Sequence, residues 1–276
     1  MKLSIIGLGL IGGSFALSIK KIYPSWKIIG YDLNKAHKEE ALKLNIIDKI
    51  ANDLEEVKKS DIIILAIPVE GIVNTLKLLK DVSKDTTIID LGSTKEKIVN
   101  STPHKIRKNL VAAHPMAGTE KTGPTAAFDT LYEDKVVVLC DIQDSGEKQK
   151  KLAIEIFTKM KMHIVYMDSI SHDLHTAYIS HLPHAISFAL ANSVLKQEDP
   201  KSILTLAGGG FKDMSRIAKS SPIMWSDIFK QNRKNLLKTL KTFQDELDTM
   251  KILIEKGEWD ELKKWMSKAN SLHNII

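Results

Sequence analysis

One cysteine stands among 276 residues, so this chain cannot staple itself with an internal disulfide. Cys140 closes the apolar run Val136-Val-Val-Leu and reads as a buried, inert thiol of a reducing compartment. Long hydrophobic runs are missing too: nothing reaches the roughly 18 apolar residues of a membrane span. The nearest stretch, Leu3 to Ile19, is broken by glycines and serines and lacks a small-x-small cleavage site, which favours a strand and turn over a signal peptide. The expected location is cytoplasmic, without a membrane partner. Arginine is scarce, being confined to Arg107, Arg216 and Arg233, so the net charge of +6 rests on lysine. Those lysines alternate with acids, as in Glu55-Glu-Val-Lys-Lys, and describe a solvated surface, not a nucleic-acid site. A mildly positive field of this kind draws in anionic small molecules. The remaining composition, 43% hydrophobic and 27% charged, is that of an ordinary globular protein of one or two domains.

What the chain does have is a glycine loop at its start. A short strand through Ser4 to Ile6 breaks at Gly7 and reopens as a helix through Phe15 and Ile19. Gly7-x-Gly9-x-x-Gly12 in that context is a dinucleotide-binding pattern. The first glycine makes the turn, the second admits a pyrophosphate, and the third lets helix and strand pack closely. A second strand, Ile28-Ile-Gly-Tyr-Asp32, ends in an acid 20 residues after Gly12, where a ribose-binding carboxylate belongs.

Strands and helices then alternate to about residue 165, with strand candidates at Asp61 to Ile67 (ended by Pro68), Thr87 to Asp90, Val111 to His114, Lys135 to Cys140 and His163 to Tyr166. This is the α/β pattern of a doubly wound sheet, which binds ligands at the carboxyl ends of its strands. From Asp168 the pattern is helical only, with segments Leu174 to Leu195, Pro200 to Leu206, Pro222 to Leu247 and Glu258 to Ser267. The long helices are apolar on more than one face, and a second copy of the same domain is the simplest cover.

Three further stretches carry chemistry. Asp90-Leu-Gly-Ser93-Thr-Lys95 places a hydroxyl and a cation at a strand end. Ser93 serves there either as a helix cap or toward the cofactor. His114 leaves the next strand into a loop with Thr119, Glu120 and Lys121, a position suited to taking a proton from a hydroxyl near neutral pH. Ser180-His181-Leu-Pro183-His184 lies on a helix that Pro183 should kink, and Gly208-Gly-Gly-Phe-Lys212-Asp-Met-Ser-Arg216 follows. In a lysine-rich protein Arg216 suggests a planar fork for a carboxylate. His172, His175, His181 and His184 lie close in sequence, but H-x-x-H is an imperfect zinc spacing and no third ligand is evident.

Together, the glycine loop, Asp90-Leu-Gly-Ser93-x-Lys95, His114-Pro-x-Ala-Gly-Thr119-Glu120, Ser180-His-Leu-Pro-His184 and Gly208-Gly-Gly-Phe-x-Asp-x-x-Arg216 resemble the prephenate dehydrogenase family. Its wider group includes the arogenate and cyclohexadienyl dehydrogenases. The resemblance spans nearly the whole chain. It implies a Rossmann dinucleotide-binding domain over residues 1–167 and an all-helical substrate-binding and dimerisation domain over 168–276, assembled as a homodimer. It implies NAD-dependent oxidative decarboxylation of prephenate to 4-hydroxyphenylpyruvate, in tyrosine biosynthesis. Carried over residue by residue, it makes His114 and Ser93 catalytic and assigns Arg216, His184, Glu120, Thr119, Lys212 and Ser180 to the substrate. Gly7, Gly9, Leu10, Ile11, Gly12, Asp32, Pro68 and Ser93 go to NAD, His181 stands behind the site, and no metal is expected. With the first strand at Lys2 no chorismate mutase is expected ahead of it. With the chain running to Ile276, inhibition by tyrosine is expected at the active site and not in an appended amino-acid-binding module. Another Rossmann-plus-helical dehydrogenase and a non-enzymatic NAD-sensing regulator are the competing readings.

Overall fold

The computed structural model describes residues 1–275. Its strands are β1 (Lys2–Ile6), β2 (Lys27–Tyr31), β3 (Lys49–Ile50), β4 (Ile62–Leu65), β5 (Thr87–Asp90), β6 (Leu110–Pro115), β7 (Val136–Cys140) and β8 (His163–Met167). They form one eight-stranded sheet in the order β3-β2-β1-β4-β5-β6-β7-β8. Every neighbouring pair is parallel except β6 and β7, which run antiparallel with His114 opposite Val138. Strand order reverses between β1 and β4, the switch point at which such sheets bind ligands. The two-residue β3 has no counterpart among the expected strands, because so short a pairing leaves no periodicity to read.

Continuous β-branched runs such as Ile62-Ile-Ile-Leu are buried on both faces, as a helix-covered parallel sheet requires. The connecting helices are α1 (Leu10–Ile22), α2 (Lys35–Lys43), α3 (Leu54–Lys58), α4 (Val69–Leu78), α5 (Glu96–Ser101) and α6 (Glu147–Lys159). One buried cluster is centred on Phe15, Tyr132 and Phe157; another gathers Ile63, Val73, Leu76 and Ile88. Phe15 meets the two other rings edge-on at 6.0 and 6.3 Å, and the buried Tyr132 hydroxyl donates to the Ile11 carbonyl at 2.7 Å. This layer fixes the start of α1, and with it the glycine loop. Cys140 is buried as expected, and burial pushes its thiol up to about 12.

After β8 come α7 (Ser169–Thr176), a π turn (Ala177–His181), α8 (Leu182–Leu195), α9 (Pro200–Thr205), α10 (Gly209–Arg216) and α11 (Pro222–Gln231). Then follow α12 (Arg233–Lys256) and α13 (Trp259–Asn270). The helix expected over Leu174 to Leu195 is thus interrupted by a π turn just ahead of Pro183, which has no N–H to continue the ladder. The helix expected over Pro222 to Leu247 divides at Asn232, whose side-chain amide is drawn away to the Asp173 carbonyl at 2.6 Å. Secondary structure changes character after Met167, as expected, whereas compactness changes at Asn232: residues 1–232 form one unit and 233–276 another. Within the first unit α7 packs on α5 and α11 on α4, which joins these helices to the sheet. Within the second, Trp265 Nε1 donates to Glu246 Oε2 at 2.8 Å. Among the described residues no helix is long and apolar enough to cross a membrane.

Candidate active site

The cofactor end is built by the glycine loop. Gly7 has φ +96°, and a β-carbon there would overlap the Ala66 carbonyl oxygen after β4. At Gly12 it would overlap the Gly7 carbonyl, so helix and loop touch through their backbones. Around Gly9 the opposite holds: nothing lies within 4 Å of where a β-carbon would stand. That open cradle faces the start of α1, which has no capping side chain and no acid in its first turn. Its orphan N–H groups and positive dipole end suit a pyrophosphate. Leu10 and Ile11 can contribute backbone only, since Leu10 is buried in the core and Ile11 packs against it.

Asp32, just past β2, is aimed by two backbone donors: Leu8 N–H to Oδ2 and Asn34 N–H to Oδ1, each at 2.8 Å. Both oxygens retain a lone pair for ribose hydroxyls. His37 Nδ1 lies 3.5 Å from Asp32 Oδ2, a neighbour the sequence did not announce, whereas Lys35 turns to Glu39 at 3.7 Å. Pro68 is exposed at the start of α4, beside the loop that Gly7 touches. These residues fit a dinucleotide.

The chemical end lies where β5 and β6 finish. His114 is buried, and its Nδ1 sits 2.8 Å from His172 Nε2. His172 Nδ1 in turn lies 2.8 Å from Asp173 Oδ1. Asp173 also caps α5, Oδ1 taking the Lys95 N–H at 2.7 Å and Oδ2 the Glu96 N–H at 3.0 Å. A carboxylate only accepts, so His172 Nδ1 must donate to it. With both rings neutral, His172 Nε2 is then an acceptor, His114 Nδ1 carries the proton, and His114 Nε2 keeps its lone pair. Burial, then the cationic forms of His172, Lys95 and His181, hold His114 well below the ordinary histidine range. Beneath it runs a fully buried ion pair: Lys95 Nζ donates to Asp90 Oδ1 at 2.6 Å and to the carbonyl of Ala113 at 2.7 Å. Burial raises the Asp90 pKa against the pull of Lys95.

A third group comes from the helices after β8. His181 is buried, and because the Asn232 amide nitrogen donates to its Nδ1 at 3.1 Å, its proton resides on Nε2. Burial lowers its pKa to about 4. His184 donates Nδ1–H to the Ser180 carbonyl at 2.9 Å and stacks on Trp225 at 3.6 Å between ring centroids. Its pKa is lowered, by burial first, with the nearby Arg216 charge acting in the same direction. Arg216 reaches toward Glu120, NH1 to Oε2 at 3.9 Å, and its side chain stays 59% exposed, open to a ligand.

The structure therefore brings His114, His181, His184, Arg216 and Glu120 into one electrostatic neighbourhood. Ser93 sits half-buried at the end of β5, three residues past Asp90. Ser180 acts through its carbonyl, on His184. Thr119 and Lys212 are exposed; the Thr119 hydroxyl accepts the Lys121 N–H at 3.2 Å, and neither residue is tied to the histidines. Sequence reasoning missed His172, Asp173, Trp225 and Asn232. The run of four histidines was the available signal. Among the described residues no group of three or more His, Cys, Asp or Glu side chains is arranged to hold a metal; both ring nitrogens of His172 and the Nδ1 of His181 are engaged by the protein's own groups.

A glycine cradle, an acid at the end of the second strand and a buried imidazole at the carboxyl ends of the same sheet are the arrangement of a nicotinamide-dependent dehydrogenase of the Rossmann class. Residues 15–166 match the family model "Prephenate dehydrogenase, nucleotide-binding domain" and residues 168–268 match "Prephenate dehydrogenase, dimerization domain". The chain is 35% identical to the prephenate dehydrogenase of Bacillus subtilis, over 96% of this chain and 73% of that one. It is 30% identical to the cyclohexadienyl dehydrogenase of Zymomonas mobilis, over 94% and 90%. The crystal structure of prephenate dehydrogenase from Aquifex aeolicus with hydroxyphenyl propionate and NAD+ superposes with a TM-score of 0.92 at 35% identity, covering 99% of this chain and 97% of that one. The chain belongs to the prephenate dehydrogenase family.

Proposed function

We propose that the protein oxidises and decarboxylates prephenate to 4-hydroxyphenylpyruvate with NAD, as a step of tyrosine biosynthesis in the cytoplasm. The observation that carries the chemistry is the chain Asp173–His172–His114, which reserves the His114 Nε2 lone pair for a substrate proton. NAD, when bound, supplies the nicotinamide carbon that accepts hydride from C4 of the ring. His114 Nε2 takes the C4 hydroxyl proton as that C–H bond breaks, and the new imidazolium is steadied by His172 and, through it, by Asp173. The resulting dienone carries its ring carboxylate on the saturated carbon across the ring from the carbonyl, vinylogous to a β-keto acid. Its C–CO2 bond breaks, the electron pair runs through the ring to oxygen, and the proton held by His114 returns to give the phenol. General-base assistance of this kind contributes about 10²–10⁴-fold.

Ser93, at the end of β5, is assigned to the C4 oxygen and the nicotinamide side. Arg216 binds a substrate carboxylate, with Glu120 on the substrate side next to the guanidinium. His184, Thr119, Lys212 and Ser180 complete the substrate side, and His181 supports it from behind with Asn232. Gly7, Gly9, Gly12 and the backbone of Leu10 and Ile11 hold the pyrophosphate, Asp32 the ribose, and Pro68 borders the dinucleotide. The functional division at residue 167 follows these roles in part: the cofactor is held before it and dimer contacts are made after it, while the substrate is met from both sides.

A homodimer through the helical part is supported by apolar side chains left exposed on it. In the first unit these include Ile179, Leu195, Leu206 and Ile223; in the second, Leu237, Ile252, Ile254 and Met266. Tyrosine, which shares the ring and side-chain carboxylate of the product, acts as an inhibitor at this same site. The assignment is tested by mixing protein, NAD and either prephenate or arogenate, following NADH absorbance and identifying the product. Turnover of prephenate to 4-hydroxyphenylpyruvate is expected. Turnover of arogenate alone would overturn it.

Asp32 also sets the cofactor. A 2′-phosphate beside this carboxylate meets like charge, which costs several kcal/mol across an interface. NAD is expected to exceed NADP in kcat/KM by about 100-fold or more, a gap that Asp32→Asn narrows. Equal kcat/KM for the two cofactors in the unaltered protein would contradict this role.

A further inference from the structure

Helix α11 carries three sets of contacts, and each leads to a different part of the site. At its start Trp225 stacks on His184. At its middle and end, Gln231 Nε2 donates to Asp227 Oδ1 at 2.9 Å and to Glu70 Oε2 at 3.0 Å, while Asp227 Oδ2 receives the Glu70 N–H at 3.5 Å. Directly after it, Asn232 binds the Asp173 carbonyl at 2.6 Å and His181 at 3.1 Å.

These bonds close into a ring. Glu70, in the first turn of α4 after Pro68, takes Lys97 Nζ at 2.9 Å. Lys97 lies on α5, whose leading N–H groups are held by the Asp173 carboxylate. The Asp173 carbonyl leads to Asn232, the chain leads to Gln231, and Gln231 returns to Glu70. The α4 end of the ring follows directly on the loop whose Ala66 abuts Gly7, and so borders the dinucleotide cradle. The opposite end contains Asp173, which orients the His172–His114 pair. One amide nitrogen thus bridges two carboxylates, with Lys97 neutralising one of them and holding the Glu70 carboxyl down to about 2.

The geometry points to Gln231, Glu70 and Lys97 as positioning residues that couple the two halves of the site. Seating of a dinucleotide against the α4 loop steadies α11 and Asp173, and thereby tightens substrate binding at His184 and the histidine relay. Coupling of this kind is reciprocal, so substrate must tighten dinucleotide binding by the same factor. None of the three residues touches substrate in this scheme. The inference rests on the NAD and prephenate reading above.

The test uses ADP-ribose, which lacks the nicotinamide ring and so cannot meet the substrate directly, with 3-(4-hydroxyphenyl)propionate as a non-reacting substrate analogue. Dissociation constants are measured for each ligand alone and in the presence of the other. Bound ADP-ribose is expected to tighten the analogue about tenfold, within the usual span of such couplings. Gln231→Leu should bring that factor close to one while each ligand alone binds nearly as before, and Lys97→Met should do the same by opening the ring at another point. A role confined to stability would weaken binding or folding without erasing the mutual dependence. Should one variant fail to fold, the other decides. A wild-type factor of one, or an unchanged factor in a folded variant, overturns the coupling. Failure of the wild type to bind ADP-ribose or the analogue at all would instead overturn the functional reading beneath it.

Discussion

Replacing His114 with alanine is expected to lower kcat by about 10²–10⁴-fold while leaving NAD affinity almost untouched. The magnitude follows from what is lost. The imidazole is buried and its Nδ1 is committed to His172; in the proposed mechanism its remaining nitrogen takes the proton that leaves as hydride departs. An interaction made only as charge develops affects the transition state and not the ground state, so kcat and kcat/KM fall together. Steady-state kinetics on the variant, with NAD binding measured separately, check both parts. A variant with wild-type kcat would remove His114 from the chemistry, and a matching loss of NAD affinity would mean that the loop had collapsed.

The second large effect is expected at Arg216, and on KM. Arg216→Lys should raise KM for prephenate by about 10–100-fold with kcat little changed, because hydrogen bonds to charged groups contribute about 1.5–3 kcal/mol each and an ammonium cannot make two in parallel. The structure favours this reading over a structural ion pair. Arg216 NH1 stands 3.9 Å from Glu120, too far for a tight fork, and most of its side chain is exposed. Such a contact exists before and during reaction, so its loss appears as uniform binding. An unaltered KM in the lysine variant would make Arg216 a surface residue only.

Much of this was legible in the sequence because the residues act close to where they lie in the chain. The glycine loop, Asp32, the end of β5 and the end of β6 each announce themselves by a strand that stops and a residue type that the stop requires. The sheet brings them to one edge without further instruction. The relay was not legible. His172 is 58 residues from His114, and nothing local says that α7 will lie against α5 so that Asp173 caps it. The histidine run marked the region, but weighing it as a metal site and setting that aside did not disclose that both ring nitrogens of His172 are engaged, one by Asp173 and one by His114. Asn232 was hidden for another reason: in an apolar helical pattern one asparagine reads as a tolerated polar residue, whereas its amide ends α11 and serves two buried acceptors. The π turn before Pro183 was foreseen only as a kink.

The central claim is that His114 works as a neutral base whose lone pair is free at working pH, and the pH dependence of kcat/KM for prephenate tests it most directly. Burial and the neighbouring cations lower its pKa, and the base is lost only when protonated, so activity must fall as pH drops through the folded-state value and not before. A profile flat from about pH 8 down through the ordinary histidine value near 6.5, with an acid limb only below it that disappears in His114→Asn, is the predicted result. An acid limb at or above 6.5, or one that persists unchanged in the variant, would contradict the account.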